Sequence, residues 1–218
     1  MCREKKFIFI EVPKTGTGSI VRCLMKLDSS LERNKVYLSS GKVLSVSTHA
    51  TAQEISELLG DSRKCYKFIG FLRSPYDVLA SKYYFYKVGR IAEMVKSRRA
   101  TFGQILRYYS TKMLPLNLWI VIYPYKETQG FIADDRGEVL LDEIGIYESL
   151  EKDFLDIFSR MGYRKDHLTL PHLNVSLRSK KKGFLYSSFA RLSLWLRSNK
   201  DMKLYREALA RRGDVDGQ

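Results

Sequence analysis

Short apolar runs alternate with amphipathic stretches along the first half of the chain. Strand-like runs cover residues 6–12, 65–72 and, more weakly, 35–38 and 43–48. Apolar residues recur with helical spacing over residues 18–27, 51–59, 75–88 and 101–110. Because strands that alternate with helices pair in parallel under a helical cover, this order predicts an α/β fold with a parallel sheet flanked by helices.

The second half of the chain is predicted to be mainly helical. Residues 131–141 have the pattern of a hairpin that turns at Asp135-Arg136-Gly137, and a helix over residues 149–162 ends at Gly162. In the last third, one helical stripe consists of Leu185, Phe189, Leu192 and Leu196, with Arg191 and Arg197 off it. Such a stripe predicts packing against a core. The alternative is a basic amphipathic helix that lies, with Trp195, on a membrane or a partner.

Length and composition are typical of one globular domain, which we expect to span residues 1–218. No apolar run approaches the roughly 20 residues that cross a bilayer. The first apolar stretch is too short for a signal peptide, so a cytoplasmic location is expected. Cys2, Cys23 and Cys65 lack metal-ligand spacing, and we expect buried free thiols.

A formal net charge of +14 indicates an anionic partner. Basic residues cluster at 96–99, 178–182 and 211–212, which would suit a membrane surface or a polyanion; a solvated face is the alternative for each cluster. The chain has no zinc-finger spacing, no aromatic RNA-binding strand and no basic zipper, so nucleic acid is not expected as a partner.

The main chemical motif is a small turn, Pro13-Lys14-Thr15-Gly16-Thr17-Gly18-Ser19, between a predicted strand and a predicted helix. Glycines let backbone N–H groups approach an anion, and the helix start adds unpaired donors, so the turn is typical of a phosphate site. The lysine precedes the glycines, so the turn does not fit the pattern G-x-x-x-x-G-K-[ST] that holds a triphosphate with magnesium. An ordinary turn, with Thr17 or Ser19 capping the helix, is the alternative.

An arginine follows the next buried run at a second junction of the same kind. The run Phe68-Ile69-Gly70-Phe71-Leu72 leads into Arg73-Ser74-Pro75-Tyr76-Asp77. Because ligands of open α/β sheets bind at the carboxyl ends of strands, Arg73 is predicted to bind phosphate, and Ser81, about two helical turns further on, to share it. The alternatives are an ion pair of Arg73 with Asp77 and a solvated Ser81.

Together these motifs resemble those of sulfotransferases that use 3′-phosphoadenosine 5′-phosphosulfate (PAPS). In that family a P-K-T-G-G-T-S type of loop holds the 5′-phosphosulfate, and an R-x-P-Y/W-D-R-L-x-S segment holds the 3′-phosphate. The carbohydrate branch (heparan-sulfate and chondroitin type, family-2-like) is the more similar one, because Ser47-Thr48-His49-Ala50-Thr51-Ala52 resembles its histidine segment. Residues 145–154 and 170–176 resemble later landmarks, whereas Thr17-Gly18 inverts the usual Gly-Thr order.

The resemblance implies a P-loop nucleotide-kinase-like sandwich with a helical C-terminal part. It also implies transfer of a sulfuryl group from PAPS to a saccharide hydroxyl by in-line displacement, with 3′,5′-bisphosphoadenosine (PAP) as product and no metal. His49 would act as general base and Lys14 would stabilise the leaving phosphate. The implied donor ligands are Lys14, Thr15, Gly16, Thr17, Gly18, Ser19, Arg73, Ser81, Asn174, Ser176 and Arg178. His167 and His172 are weaker candidates for acceptor contact, and Glu148 matches a recurrent acidic position.

Three alternatives stay open at this point. The acceptor could be a small or lipid-linked molecule, for which the aromatic-rich residues 112–125 would be suitable. A P-loop-like kinase would need a magnesium-binding carboxylate and a longer loop. A protein that binds polyanions without catalysis would use the basic clusters alone.

Overall fold

A three-stranded parallel sheet organises the larger of the two units into which the chain divides. The structure is a computed structural model that describes residues 1–125, 127–171 and 186–215. Unit 1 comprises Met1–Arg73, Glu127–Leu173 and Leu204–Gln218, and unit 2 comprises Ser74–Lys126 and Asn174–Lys203. Both units are discontinuous in sequence, because the chain leaves unit 1 after Arg73 and returns to it twice.

The sheet of unit 1 places a central strand between two parallel neighbours. In the order of the sheet, the strands are β1 (Phe7–Ile10), β4 (Lys67–Leu72) and β5 (Glu143–Ile146). A separate antiparallel pair is formed by β2 (Lys35–Tyr37) and β3 (Val43–Ser45). The helices of this unit are α1 (Thr17–Leu27), α2 (Ala52–Leu59), α7 (Gln129–Ile132) and α8 (Leu150–Arg160). Because all three strands of the sheet are parallel, their carboxyl ends lie at one edge.

Apolar side chains cover both faces of this sheet, as expected for parallel strands with uninterrupted hydrophobic sequence. On one face, Phe7 and Phe71 pack with residues of α1 and α8 such as Leu24 and Phe158. On the other face, Ile8, Ile10, Phe68 and Leu72 pack with residues of α2 and α7 and with Leu204 and Ala208. Glycine at position 145 of β5 is required by packing, since a Cβ there would lie 2.2 Å from the Phe71 ring.

Unit 2 is helical. Its helices are α3 (Pro75–Lys87), α4 (Arg90–Lys96), α5 (Phe102–Met113), α6 (Leu116–Ile122), α9 (Ser188–Arg197) and the start of α10 (Asn199–Val215). Its core holds Leu79, Tyr83, Trp119, Ile120, Ala190 and Leu194. Arg197 donates to the carbonyl oxygens of Ile120 and Tyr123, at 2.5 and 2.7 Å, and so satisfies the C-terminal end of α6.

The predicted α/β class with a parallel sheet flanked by helices is confirmed, whereas the finer P-loop-like description stays a prediction. The sheet differs from the sequence pattern in two respects: β2 and β3 lie outside it, and its third strand, β5, was not predicted. The turn at residues 134–137 is present, but it closes a single bridge between Ala133 and Val139 in place of a hairpin. The expectation of a single domain also stays a prediction.

Two expectations about burial are wrong. The stripe Phe189, Leu192 and Leu196 is exposed, and α9 instead buries Ala190 and Leu194, because the face with these two residues packs against Trp119 and Ile120 of α6 in the core of unit 2. Leu185 lies outside the described residues. Cys2 and Cys23 are buried as expected, but Cys65 is exposed, since it ends a 3₁₀ turn at the surface just before β4.

Candidate functional site

The turn after β1 contains two residues with a left-handed backbone conformation. Lys14 and Gly16 both have positive φ values, of 71° and 81°, and Gly16 is the N-cap residue of α1. Its carbonyl oxygen accepts from the N–H groups of Ser19 and Ile20, whereas a glycine has no side chain with which to cap the helix. The alternative in which Thr17 or Ser19 caps this helix is therefore wrong, because both residues lie inside its first turn.

The side chains of this loop divide between the interior and the surface. Thr15 is fully buried, and its hydroxyl donates to the carbonyl oxygen of Val12 at 2.9 Å, so that proton is used to hold the turn. Ser19 is buried as well, Lys14 and Thr17 are half-buried, and Gly18 is exposed. A Cβ built on Gly18 meets no atom within 4 Å. The open side of the loop is therefore the backbone around Gly18.

Arg73, directly after β4, holds this loop. Its Nη1 donates to the carbonyl oxygen of Lys14 at 3.0 Å, and its guanidinium carbon lies 3.9 Å from the centre of the Tyr147 ring. Tyr147 follows β5 directly, and its ring also lies against Gly16, where an added Cβ would come within 3.1 Å of it. The residues that follow all three parallel strands thus meet at one edge of the sheet.

His49 contacts the backbone that lies between β1 and this loop. It lies in the turn between β3 and α2, where Thr51 forms a capping box with Glu54. His49 is exposed, and its Nδ1 is 2.7 Å from the carbonyl oxygen of Glu11, just after β1. Because a carbonyl oxygen only accepts, Nδ1 carries the hydrogen. In the neutral ring, Nε2 is therefore the basic nitrogen.

Glu11, whose carbonyl oxygen accepts from His49, also pairs with the exposed Arg33 through its buried carboxylate. The carboxylate of Glu11 accepts from Arg33 Nε at 2.7 Å and from Arg33 Nη2 at 2.6 Å. Glu11 is buried, and its hydrogen bonds raise the pKa of the Arg33 guanidinium. A bidentate pair of this kind restrains the Glu11 side chain more strongly than a single hydrogen bond would.

Three further predicted site residues, Ser81, Glu148 and His167, lie in the described part of the chain. Ser81 lies in α3 of unit 2 and is half-buried, whereas Glu148 directly follows Tyr147 and His167 lies in a 3₁₀ turn after α8, both in unit 1. Predicted positions His172, Asn174, Ser176 and Arg178 lie outside the described residues. The proposed ligand roles of these residues, like those of the loop itself, stay predictions.

Sequence reasoning missed Glu11, Arg33 and Tyr147. Glu11 is an acidic residue in an otherwise apolar run, Phe7 to Val12, and a charge within a buried strand sequence signals a buried partner. No local pattern marks Arg33. Tyr147 lies within the segment 145–154 that resembles a family landmark, but its place beside Arg73 depends on β5, whose four residues Glu143-Ile144-Gly145-Ile146 are too short for a clear strand signal.

A cavity of about 280 Å³ in unit 1 lies away from these residues. Its charged lining includes Asp142, Glu143, Lys152, Asp153, Asp156, Arg160 and Arg211. Arg160 pairs with Glu143 at 2.7 Å, so charges of both signs offset each other there.

Across the described ranges, no group of three or more His, Cys, Asp or Glu side chains could hold a metal ion. In the same ranges, no helix combines the length and the apolar character needed to cross a membrane.

Comparison of the chain with protein-family models, with curated proteins and with solved structures gives no match. The resemblance to PAPS-dependent sulfotransferases therefore stays a prediction that depends on the motifs themselves.

Proposed function

We propose that this chain is a PAPS-dependent sulfotransferase that acts on a hydroxyl acceptor, with a saccharide as the expected class. One observation supports the proposal above the others. The loop with Lys14 and Gly16, the guanidinium of Arg73 and the imidazole of His49 converge at the carboxyl edge of one parallel sheet. A nucleotide with two phosphates needs such a set of separated cationic and N–H donors.

In this proposal the loop binds the 5′-phosphosulfate and Arg73 binds the 3′-phosphate. The N–H groups at the start of α1 and the open backbone at Gly18 face the 5′ group, and Lys14 adds a positive charge. Arg73 holds the loop through Nη1 and presents the planar fork of a guanidinium to phosphate oxygens. Tyr147 orients the guanidinium by stacking on it.

The reaction is an in-line displacement at sulfur. The bond from sulfur to the 5′-phosphate oxygen breaks while a bond from sulfur to the acceptor oxygen forms, and the acceptor proton passes to His49 Nε2. The hydrogen bond from Nδ1 to Glu11 keeps the ring in the tautomer that accepts this proton. Lys14 stabilises the charge that develops on the leaving phosphate oxygen.

Donor binding is tested by thermal denaturation with adenosine 3′,5′-bisphosphate. At about one hundred times its Kd, a single-site ligand adds about 2.7 kcal/mol, which for a chain of this size raises Tm by about 5–10 °C. We expect this shift with the bisphosphate and not with ATP and magnesium. Lys14→Ala should abolish it, whereas the exposed Lys64→Ala should keep it. A shift with ATP and magnesium alone would instead favour the kinase.

Transfer is tested with ³⁵S-labelled PAPS in the presence of EDTA. Desulfated heparan and chondroitin saccharides, phenols and lipid-linked saccharides serve as acceptors, and we expect label on a saccharide. Bisphosphate binding with no transfer to any acceptor class would contradict the enzyme activity while keeping the nucleotide site. Polyanion binding that survives Lys14→Ala would favour the protein that binds without catalysis.

A further inference from the structure

Among the described residues, unit 2 exposes far more large apolar side chains than unit 1, although it is the smaller unit. Ten of those described lie on three of its helices, and we call this set the apolar face. It consists of Phe102, Leu106, Tyr109 and Met113 on α5, Leu118 and Ile122 on α6, and Phe189, Leu192, Trp195 and Leu196 on α9. Phe102 and Met113 are each 81% exposed. Apolar exposure on this scale marks an interaction surface.

The three helices are neighbours, because α6 packs against both α5 and α9. On each of them the exposed residues repeat at helical spacing, and the buried residues of α6 and α9 form the core of unit 2. In α6, for example, Trp119 and Ile120 are buried while Leu118 and Ile122 are exposed. The exposed residues are therefore not needed to hold the helices of this unit together.

The positive charge of the chain is concentrated in the same unit. Residues 74–126 and 174–203 contain 17 of the 38 Lys and Arg residues but 3 of the 24 Asp and Glu residues. The remaining segments contain 21 of each, so the formal net charge of +14 belongs to the sequence of unit 2. Helices α5, α6 and α9 have no acidic residue, and Arg107, Lys112 and Arg191 lie beside the apolar residues.

We propose that unit 2 docks on an anionic lipid bilayer through the apolar face. Apolar side chains next to lysine and arginine are the pattern of helices that lie in the membrane interface, where each basic residue adds about 1 kcal/mol of attraction to anionic headgroups. The twelve residues of α5 reach about 18 Å, against a hydrocarbon core of about 30 Å, so these helices lie along the surface.

Charge and chemistry disfavour the other occupants. A second copy of unit 2 would bring two strongly positive surfaces together, which opposes association. A nucleic acid would satisfy the charge but would leave Phe102, Leu106 and Met113 without apolar contacts. An anionic bilayer satisfies both features at once. Membrane docking is independent of the transfer reaction proposed above, because the apolar face shares no residue with the candidate site.

The first experiment measures flotation of the whole chain with vesicles of phosphatidylcholine alone and with vesicles that also contain phosphatidylserine. We expect binding to the anionic vesicles and at least tenfold weaker binding to the neutral ones. Phe102→Ser with Met113→Ser, and separately Phe189→Ser with Leu196→Ser, should reduce binding at least tenfold. Met25→Ser, also on an exposed apolar side chain but in unit 1, is the matched control and should bind like the original chain.

The second experiment uses tryptophan fluorescence. Trp195 is 47% exposed and Trp119 is 1% exposed, so a blue shift on adding anionic vesicles reports on Trp195. Trp195→Phe should remove the shift, and the unchanged emission of Trp119 shows that the unit stays folded. Self-association in the absence of vesicles that the serine variants abolish would overturn the proposal in favour of a second copy. Vesicle binding that the serine variants leave intact would overturn it as well.

Discussion

The imidazole Nδ1 of His49 lies 2.7 Å from the carbonyl oxygen of Glu11, and this contact ties the candidate base to the same backbone segment that carries Lys14. The two residues are 38 positions apart in the sequence. A base fixed by its second ring nitrogen keeps both its tautomer and its direction, which proton transfer requires.

His49→Ala should lower kcat for sulfuryl transfer by about 10²–10⁴-fold, the usual contribution of a general base. The thermal shift caused by adenosine 3′,5′-bisphosphate should change little, because the imidazole is not among the proposed donor ligands. Lys64→Ala, at an exposed residue of unit 1 that has no proposed role, is the control and should keep full turnover. Equal losses of turnover and of bisphosphate binding in His49→Ala would show that the residue positions the loop and is not a base.

Arg73→Lys should weaken bisphosphate binding by at least tenfold, although it keeps the positive charge. A lysine ammonium cannot donate to the Lys14 carbonyl oxygen and to a phosphate with the planar fork of arginine. Isothermal titration with adenosine 3′,5′-bisphosphate measures the effect. Arg22→Lys, on the exposed side of α1, is the control and should bind normally. Unchanged affinity in Arg73→Lys would remove Arg73 from the phosphate site.

Two glycines of the loop should respond to alanine in opposite ways. Gly16→Ala forces a residue with φ near 81° and brings Cβ to 2.9 Å from Leu150, so it should lower the free energy of unfolding by about 1–2 kcal/mol. Gly18→Ala meets open space inside a helix and should raise it by about 0.5 kcal/mol. Urea denaturation measures both changes.

Gly18→Ala should also lower the affinity for adenosine 3′,5′-bisphosphate, because the added methyl group lies where the phosphate is proposed to approach the backbone. A more stable variant with weaker nucleotide binding would separate the site from the fold. If Gly18→Ala binds the bisphosphate as well as the original chain, the 5′ group does not lie over this residue.

Hydrogen bonds to the buried carboxylate of Asp28 should make the free energy of unfolding fall at acidic pH. Its carboxylate accepts from Tyr163 at 2.6 Å and from the backbone and hydroxyl of Ser30. Burial alone would raise the pKa of Asp28, but these hydrogen bonds outweigh burial and hold the pKa below its ordinary value. Because the pKa is lower in the folded chain, the stabilisation is fully present above about pH 4 and is lost as the pH falls through the folded value.

Asp28→Asn should therefore lower the free energy of unfolding by about 1–3 kcal/mol at pH 7, because the substitution removes the charged acceptor of these hydrogen bonds. The difference between the variant and the original chain should be constant from about pH 7 to pH 5 and should shrink below about pH 4. Urea denaturation at several pH values measures it. A difference that grows with falling pH would contradict a lowered pKa.

Several elements could be predicted from the sequence because their signals are local. The positions of α1, α2 and α3 follow from helical spacing and from residues such as Thr51 and Pro75, and β1 and β4 are nearly continuous apolar runs. Strand β5 could not be predicted, because its four residues become a strand only by pairing with β4. The exposure of Phe189 could not be predicted either, since a helical stripe gives no information on which neighbour covers it.

The sequence by itself determined the α/β class, the two strand-to-helix junctions at residues 13–19 and 73–77, and the size of the positive charge. Only the tertiary structure decided that Arg73 reaches Lys14, that Glu11 holds both Arg33 and His49, and that apolar side chains on α5, α6 and α9 face outward. The reason is physical: helix starts and apolar runs arise from neighbours within a few positions. The contacts of Arg33 with Glu11 and of Arg73 with Lys14 join residues that are 22 and 59 positions apart in the sequence, so they form only once the strands are paired.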